Sequence, residues 1–223
     1  MAYGKRDDEM FSGTPPLVAV KMLLSLFANT PKQEDWVMAT ADVSTAVLYG
    51  FIERPVFVEL PSEDVASKDP NMVGQLVRAL YGTRDAPNIW QKEVTKAFSD
   101  MGLLESPHHP GVYATRDGKV RAVAYFDDLL IVGKRKHVAE VLKSLEQKYS
   151  LTHTVLGHRG TDKKETAYLR RTVKIEEGGL TWTHNTEIVK GLVAEWGVDA
   201  SGMGKVVTTP FADVNCDPAQ QKK

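Results

Sequence analysis

Ala122-Val123-Ala124-Tyr125-Phe126-Asp127-Asp128-Leu129-Leu130-Ile131-Val132 is the stretch that decides the fold. Two short aliphatic runs flank a polar centre, so the segment reads as two buried strands joined by a tight turn. The join carries two adjacent carboxylates. These repel each other, and burying either is unfavourable by several kcal/mol unless a positive charge compensates. Divalent metal ions are the usual compensation. A third carboxylate, Asp42, ends another apolar run, Trp36-Val37-Met38-Ala39-Thr40-Ala41. Three carboxylates on neighbouring strand ends are what a two-metal phosphoryl- or nucleotidyl-transfer site needs. An Asp-Asp pair alone is an ordinary surface turn. The apolar flanks and the third aspartate set this one apart.

Working outward, Val112-Tyr113-Ala114-Thr115, the turn Asp117-Gly118 and Val120 to Tyr125 form a hairpin whose second arm feeds the Asp-Asp turn. Upstream, Leu17 to Ala28 reads as a helix apolar around most of its circumference and so largely buried. Pro55 to Leu60 reads as a strand and Pro61 to Asn71 as a loop. Pro87 suits the first turn of a helix running to Met101, with Trp90, Val94, Ala97, Phe98 and Met101 on one face and Gly102 as its stop. Downstream come an amphipathic helix over Val138 to Tyr149, a hairpin pairing Tyr168 to Ile175 with Leu180 to His184, and a helix with Ile188, Val189, Leu192, Val193 and Trp196 inward. Helices and antiparallel strands mix without strict alternation, which gives an α+β fold class.

The bulk numbers set bounds. At 223 residues the chain is one large domain or two small ones. A single cysteine, Cys216, excludes an internal disulfide framework and a cysteine-rich zinc site, and fits a reducing compartment. No apolar stretch approaches a membrane span, and the charged N-terminus is no secretory signal. The net charge of -1 hides an asymmetry. Residues 1–75 hold 6 Lys/Arg against 11 Asp/Glu, and residues 131–175 hold 11 against 4. The basic stretch starts at Lys134-Arg135-Lys136 and includes Arg170-Arg171. Any one of these is an ordinary solvated residue, but as a cluster they suit a polyanion held by its phosphates.

Three blocks of the chain resemble copia-type retrotransposon reverse transcriptases. Asp42-Val43-Ser44-Thr45-Ala46-Val47-Leu48-Tyr49-Gly50 looks like the first catalytic block of that family. Leu80-Tyr81-Gly82-Thr83-Arg84-Asp85-Ala86-Pro87-Asn88-Ile89-Trp90 looks like the second, and Tyr125-Phe126-Asp127-Asp128-Leu129-Leu130-Ile131 like the third, its Tyr-x-Asp-Asp motif. Tyr168-Leu169-Arg170-Arg171 with Leu180-Thr181-Trp182 resembles the region that grips the primer. Val206 to Pro210 resembles the Thr-Pro after the thumb helix.

The resemblance implies a right-hand polymerase palm, an antiparallel sheet backed by helices, with partial fingers and a small C-terminal thumb-like region. It places fingers and palm in residues 1–150 and the primer-grip hairpin and thumb-like helix in 151–211, while the residues of the 212–223 tail themselves read as disordered. It implies an RNA-directed DNA polymerase working on an RNA or DNA template with a primer and deoxynucleoside triphosphates. Asp42, Asp127 and Asp128 would be catalytic and hold two Mg²⁺ (or Mn²⁺) ions. Val43, Val47, Arg84, Asp85, Tyr125 and Phe126 would border the incoming nucleotide, with the Val43 carbonyl a further metal ligand. Lys134, Arg135, Lys136, Arg170 and Arg171 would contact the nucleic-acid backbone. The setting implied is intracellular, cytoplasmic in a virus-like particle or nuclear, beside other parts of a retrotransposon polyprotein.

The chain also departs from the family pattern. Val47 stands where the family carries the aromatic residue that excludes a 2′-hydroxyl, so space is expected there, and with it weaker discrimination against ribonucleotides. Asp85 stands where Gln is frequent, a carboxylate that needs a compensating charge such as Arg84. Only Lys5 and Arg6 precede the first helix, where basic finger residues are expected. The sequence thus reads as a fragment of a larger polyprotein or a decayed element copy, either an active polymerase module or a catalytically silent remnant that at most binds nucleic acid.

Overall fold

A computed structural model describes residues 12–184 and 186–195, and its main sheet is built around strand β1 (Trp36–Val43). On one side β1 pairs with β7 (Asp128–Lys134) and on the other with β8 (Leu151–Gly157), both antiparallel. β6 (Val120–Tyr125), β5 (Val112–Thr115) and β4 (Leu103–Glu105) continue the sheet beyond β7, in the order β4-β5-β6-β7-β1-β8.

Side chains alternate across the sheet with period two, and both faces are covered. Val37, Ala39, Ala41 and Val43 share one face with Ala122, Ala124, Leu129 and Ile131, against the apolar sides of α2 (Ala86–Asp100) and α3 (Arg135–Lys148). Met38, Val123, Leu130 and Val132 share the other face. It packs on α1 (Leu17–Asn29) through Val20, Leu23, Leu24 and Phe27. The same face carries Tyr168 and Val173 of a small sheet ordered β11-β10-β9, formed by β9 (Glu165–Tyr168), β10 (Arg171–Glu176) and β11 (Gly179–His184). Truncating Trp90 or Phe98, both fully buried in α2, would be expected to destabilise the fold by about 3–5 kcal/mol. A two-stranded sheet of β2 (Phe57–Val58) and β3 (Gly74–Gln75) stands apart. The chain divides into two compact units after Thr183, and the described helix of the second is α4 (Thr186–Glu195).

The mixed α/β architecture with an antiparallel sheet agrees with the sequence reading, and the details correct it in four places. α1 is not buried all round: Val18 and Met22 are exposed while Ala19, Val20, Leu23, Leu24 and Phe27 face inward, because only one side meets the sheet. Of the strand expected over 55–60, only Phe57 and Val58 pair. Residues 168–175 are not one strand, because the chain reverses at Leu169 and Arg170, both with positive φ. Residues 151–157, for which the sequence reading gives no strand, form an edge strand. It pairs with β1 from Val37 to Val43. Trp196, Val206 to Pro210, the 212–223 tail, Lys5 and Arg6 lie outside the described residues.

Candidate active site

The register of the β1–β7 ladder sets Asp42 opposite Asp128, and that of β6–β7 sets Tyr125 opposite the same Asp128. Residues paired across a ladder share a face. Met38 and Thr40 precede Asp42 on its face, and Leu130 and Val132 follow Asp128 on the same one. Both carboxylates therefore stand on the face that carries α1 and the β9–β11 sheet, at the end of the ladder.

Asp127 lies in the β6–β7 turn. Its carbonyl accepts the Val43 N–H at 3.1 Å, which ties the turn to the end of β1. The Trp90 indole N–H donates to the Phe126 carbonyl at 2.8 Å. Phe126 has φ 58, a left-handed conformation uncommon for a bulky residue. These two outside hydrogen bonds help hold it there.

Electrostatics marks the same place. Burial, then the charges of Asp127 and Asp42, raise the Asp128 carboxyl to about 6. Asp127 is raised as well, first by burial and then by Asp42. No basic side chain among the described residues forms an ion pair with any of the three. Among the described residues no three His, Cys, Asp or Glu side chains converge as a ready-made metal site. The chemistry of the donor set nevertheless fits a divalent cation, because hard carboxylate oxygens that repel each other are brought to adjacent strand ends.

The other sequence-derived candidates fall into two groups. Tyr125, Phe126 and Val43 are at the carboxylate end of the sheet. Arg170 and Arg171 form and follow the β9–β10 turn beside Tyr168, whose hydroxyl feels the charge of Asp128. The Arg171 guanidinium lies over the Trp182 ring, 4.8 Å from its centroid.

The remaining candidates are placed differently. Val47 is 1% exposed and packed in the core on the α2 side of the sheet. The Asp85 carboxylate is compensated by Arg54, which donates to it twice at 3.1 Å, whereas Arg84 is exposed. This pair clamps the segment before β2 to the start of α2. Lys134, Arg135 and Lys136 sit at the opposite end of β7, where Lys134 pairs with Trp36. They are about 20 Å from Asp128 at the usual rise per residue. Arg135 is also committed elsewhere, bonded to Asp162 at 2.9 and 2.7 Å and to Asp35 at 2.9 Å.

Sequence reasoning missed two residues of the site. Trp90 was read as core alone, yet its indole N–H holds the turn that carries Asp127. Tyr81, half-exposed in the second block, has its hydroxyl raised by burial and then by the charge of Asp127. The N–H groups of Val47 and Ala46 act in the opposite sense. An aromatic residue inside a quoted block was the available signal for both.

Comparison with known proteins agrees with this geometry. Residues 2–158 match the family described as Reverse transcriptase (RNA-dependent DNA polymerase). The chain is 31% identical over 139 residues to the Retrovirus-related Pol polyprotein from transposon TNT 1-94 of Nicotiana tabacum, a match covering 61% of this chain and 10% of that one. It is 27% identical over 146 residues to the Retrovirus-related Pol polyprotein from transposon RE1 of Arabidopsis thaliana, covering 64% and 10%. To a putative transposon Ty5-1 protein of Saccharomyces cerevisiae it is 28% identical over 113 residues, covering 49% and 37%. The matched segment thus spans about a tenth of the length of the two Pol polyproteins. Among solved structures, telomerase from Candida albicans in complex with a telomeric RNA fragment is similar at 14% identity. That match has a TM-score of 0.40 and covers 87% of this chain and 40% of that one, a likeness too distant to bear on the site. With a family match over most of its length and relatives among transposon Pol polyproteins, the chain belongs to the reverse transcriptases of copia-type retrotransposons.

Proposed function

We propose that this chain is the palm of an RNA-directed DNA polymerase, which adds deoxynucleotides to the 3′ end of a primer on an RNA or DNA template. The observation that carries the reading is the pairing of Asp42 with Asp128 across β1 and β7, beside Asp127 in a turn tied to Val43. Asp42, Asp127 and Asp128 would hold two Mg²⁺ or Mn²⁺ ions. When bound, such ions supply Lewis-acid activation of the primer hydroxyl and neutralise charge on the triphosphate.

The protein's own part is placement. β1 and β7 bring carboxylates from distant parts of the sequence to one end of a rigid sheet. The Trp90 and Val43 hydrogen bonds keep the Asp127 turn from relaxing. Arg170 and Arg171, at the tip beside this end, suit contacts to the primer backbone that carry no base readout. In the hand analogy the six-stranded sheet with α2 and α3 is the palm, and the β2–β3 segment belongs to the fingers. The implied setting is a retrotransposon polyprotein inside the cell, in the cytoplasm or the nucleus.

The test is primer extension by the purified chain on an RNA template with a DNA primer, in Mg²⁺ and in Mn²⁺, with Asp127→Asn as control. Extension that vanishes in the variant supports the reading. A folded protein that binds primer–template and extends nothing in either metal would keep the palm's shape without its chemistry.

A further inference from the structure

β9 crosses the face that carries the carboxylates. Thr166 Oγ1 meets Thr40 Oγ1 at 3.2 Å, and the next residue on the same face of each strand is Tyr168 in β9 and Asp42 in β1. Tyr168 is 3% exposed. Its hydroxyl is enclosed and has no hydrogen-bond partner among the described residues. Buried polar groups in folded proteins are nearly always paired, so an orphan needs a reason. The charged and titratable groups that bear on this hydroxyl are Asp128 and Tyr125, the pair that closes the β6–β7 ladder. An ionised carboxylate is an acceptor only, and Tyr168 brings the complementary donor. The ring belongs to the buried cluster that includes Leu130 and Val123, and its backbone pairs with Arg171 across a two-residue turn.

We infer that Tyr168 is a positioning residue for Asp128: in the metal-loaded site its O–H donates to one Asp128 oxygen and leaves the other for the ion. The inference deepens the function proposed above and rests on its reading of the carboxylates as metal ligands. Hydrogen bonds of this kind orient ligating carboxylates and tune metal affinity. Here the donor stands ready before the ion arrives, enclosed and unpaired.

The test compares the full chain with Tyr168→Phe, Asp128→Asn and the double variant. Mn²⁺ affinity is read by electron paramagnetic resonance of the free ion, and thermal melting is read without metal. The expected result is a Tyr168→Phe protein that melts no lower than wild type yet binds Mn²⁺ about tenfold more weakly. In the Asp128→Asn background the same substitution adds less than about twofold, because the two act through one bond. Wild-type affinity retained by Tyr168→Phe overturns the inference and points to a hydroxyl satisfied by trapped water. Equal loss in both backgrounds, or a lower melting point, shows a packing role and overturns it too. A wild-type chain that binds no Mn²⁺ overturns the metal reading itself, and the inference falls with it.

Discussion

Strand β6 ends in two turns of opposite character. At one end Thr115 to Val120 closes on β5 in a self-sufficient way. Gly118 takes φ 69, and the Asp117 carboxylate accepts the Lys119 N–H at 3.1 Å and the Thr115 hydroxyl at 2.8 Å. At the other end Phe126 and Asp127 close on β7 with a bulky residue at φ 58, held by Trp90 from α2 and Val43 from β1. The first turn is stabilised by its own residues. The second is imposed by the rest of the fold, as strained residues at functional sites generally are. The difference teaches where to look: the turn that the local sequence does not favour is the one that carries the aspartates.

The comparison can be broken at either end. Asp127→Asn should leave the fold intact and, on the function proposed above, reduce primer extension by about 10³-fold or more, since it removes the negative charge of a proposed metal-holding carboxylate. An active variant would detach the turn from the chemistry. Trp90→Phe leaves the Phe126 carbonyl short of its donor, so urea unfolding should show a loss of about 1–3 kcal/mol, and extension should drop with it. At the other turn, Gly118→Ala forces a side chain into a left-handed conformation and should cost about 1–2 kcal/mol while extension per folded molecule stays unchanged. If it fell as for Trp90→Phe, the two turns would not differ in kind.

The smallest effect is a pH dependence. Asp128 is raised in the folded state to about 6, above its unfolded value. The folded protein therefore binds more protons than the unfolded one between about pH 4 and 6, and metal-free stability falls as pH rises through that window. Asp128→Asn should remove that fall. It would make the metal-free protein more stable at pH 8 by about 1 kcal/mol, after discounting for solvent screening of a half-exposed group, and change it little at pH 4. Unfolding curves at the two pH values check the sign.

Much of this was legible in the sequence because the signals were local. The Asp117-Gly118 turn, the aliphatic runs of β1, β6 and β7 and the apolar face of α2 are read from neighbours within a few residues. β8 was missed because Thr152, His153 and Thr154 give an edge strand little apolar alternation. The β9–β10 reversal was missed because Leu169 and Arg170 are not turn residues by type, and only tertiary packing sets their φ angles at 50 and 58. The partner of Asp85 is 31 positions away, and Arg135 reaches Asp35 across 100. Charge and motif position suggested nucleotide or phosphate contacts for these residues, but no local pattern reveals such distant partners. Val47 was expected to border open space, and its burial depends on how its short 3₁₀ turn, Ala46–Tyr49, packs on α2.

β1 is hydrogen-bonded along both edges and covered on both faces. Its amides should accordingly exchange with deuterated solvent only when the whole first unit opens, while those near the exposed β9–β10 tip exchange through local fluctuations. One wall of the candidate site, Asp42, is then anchored in the slowest-exchanging segment of the first unit, and Arg170, exposed at the β9–β10 tip, lies where local opening comes first.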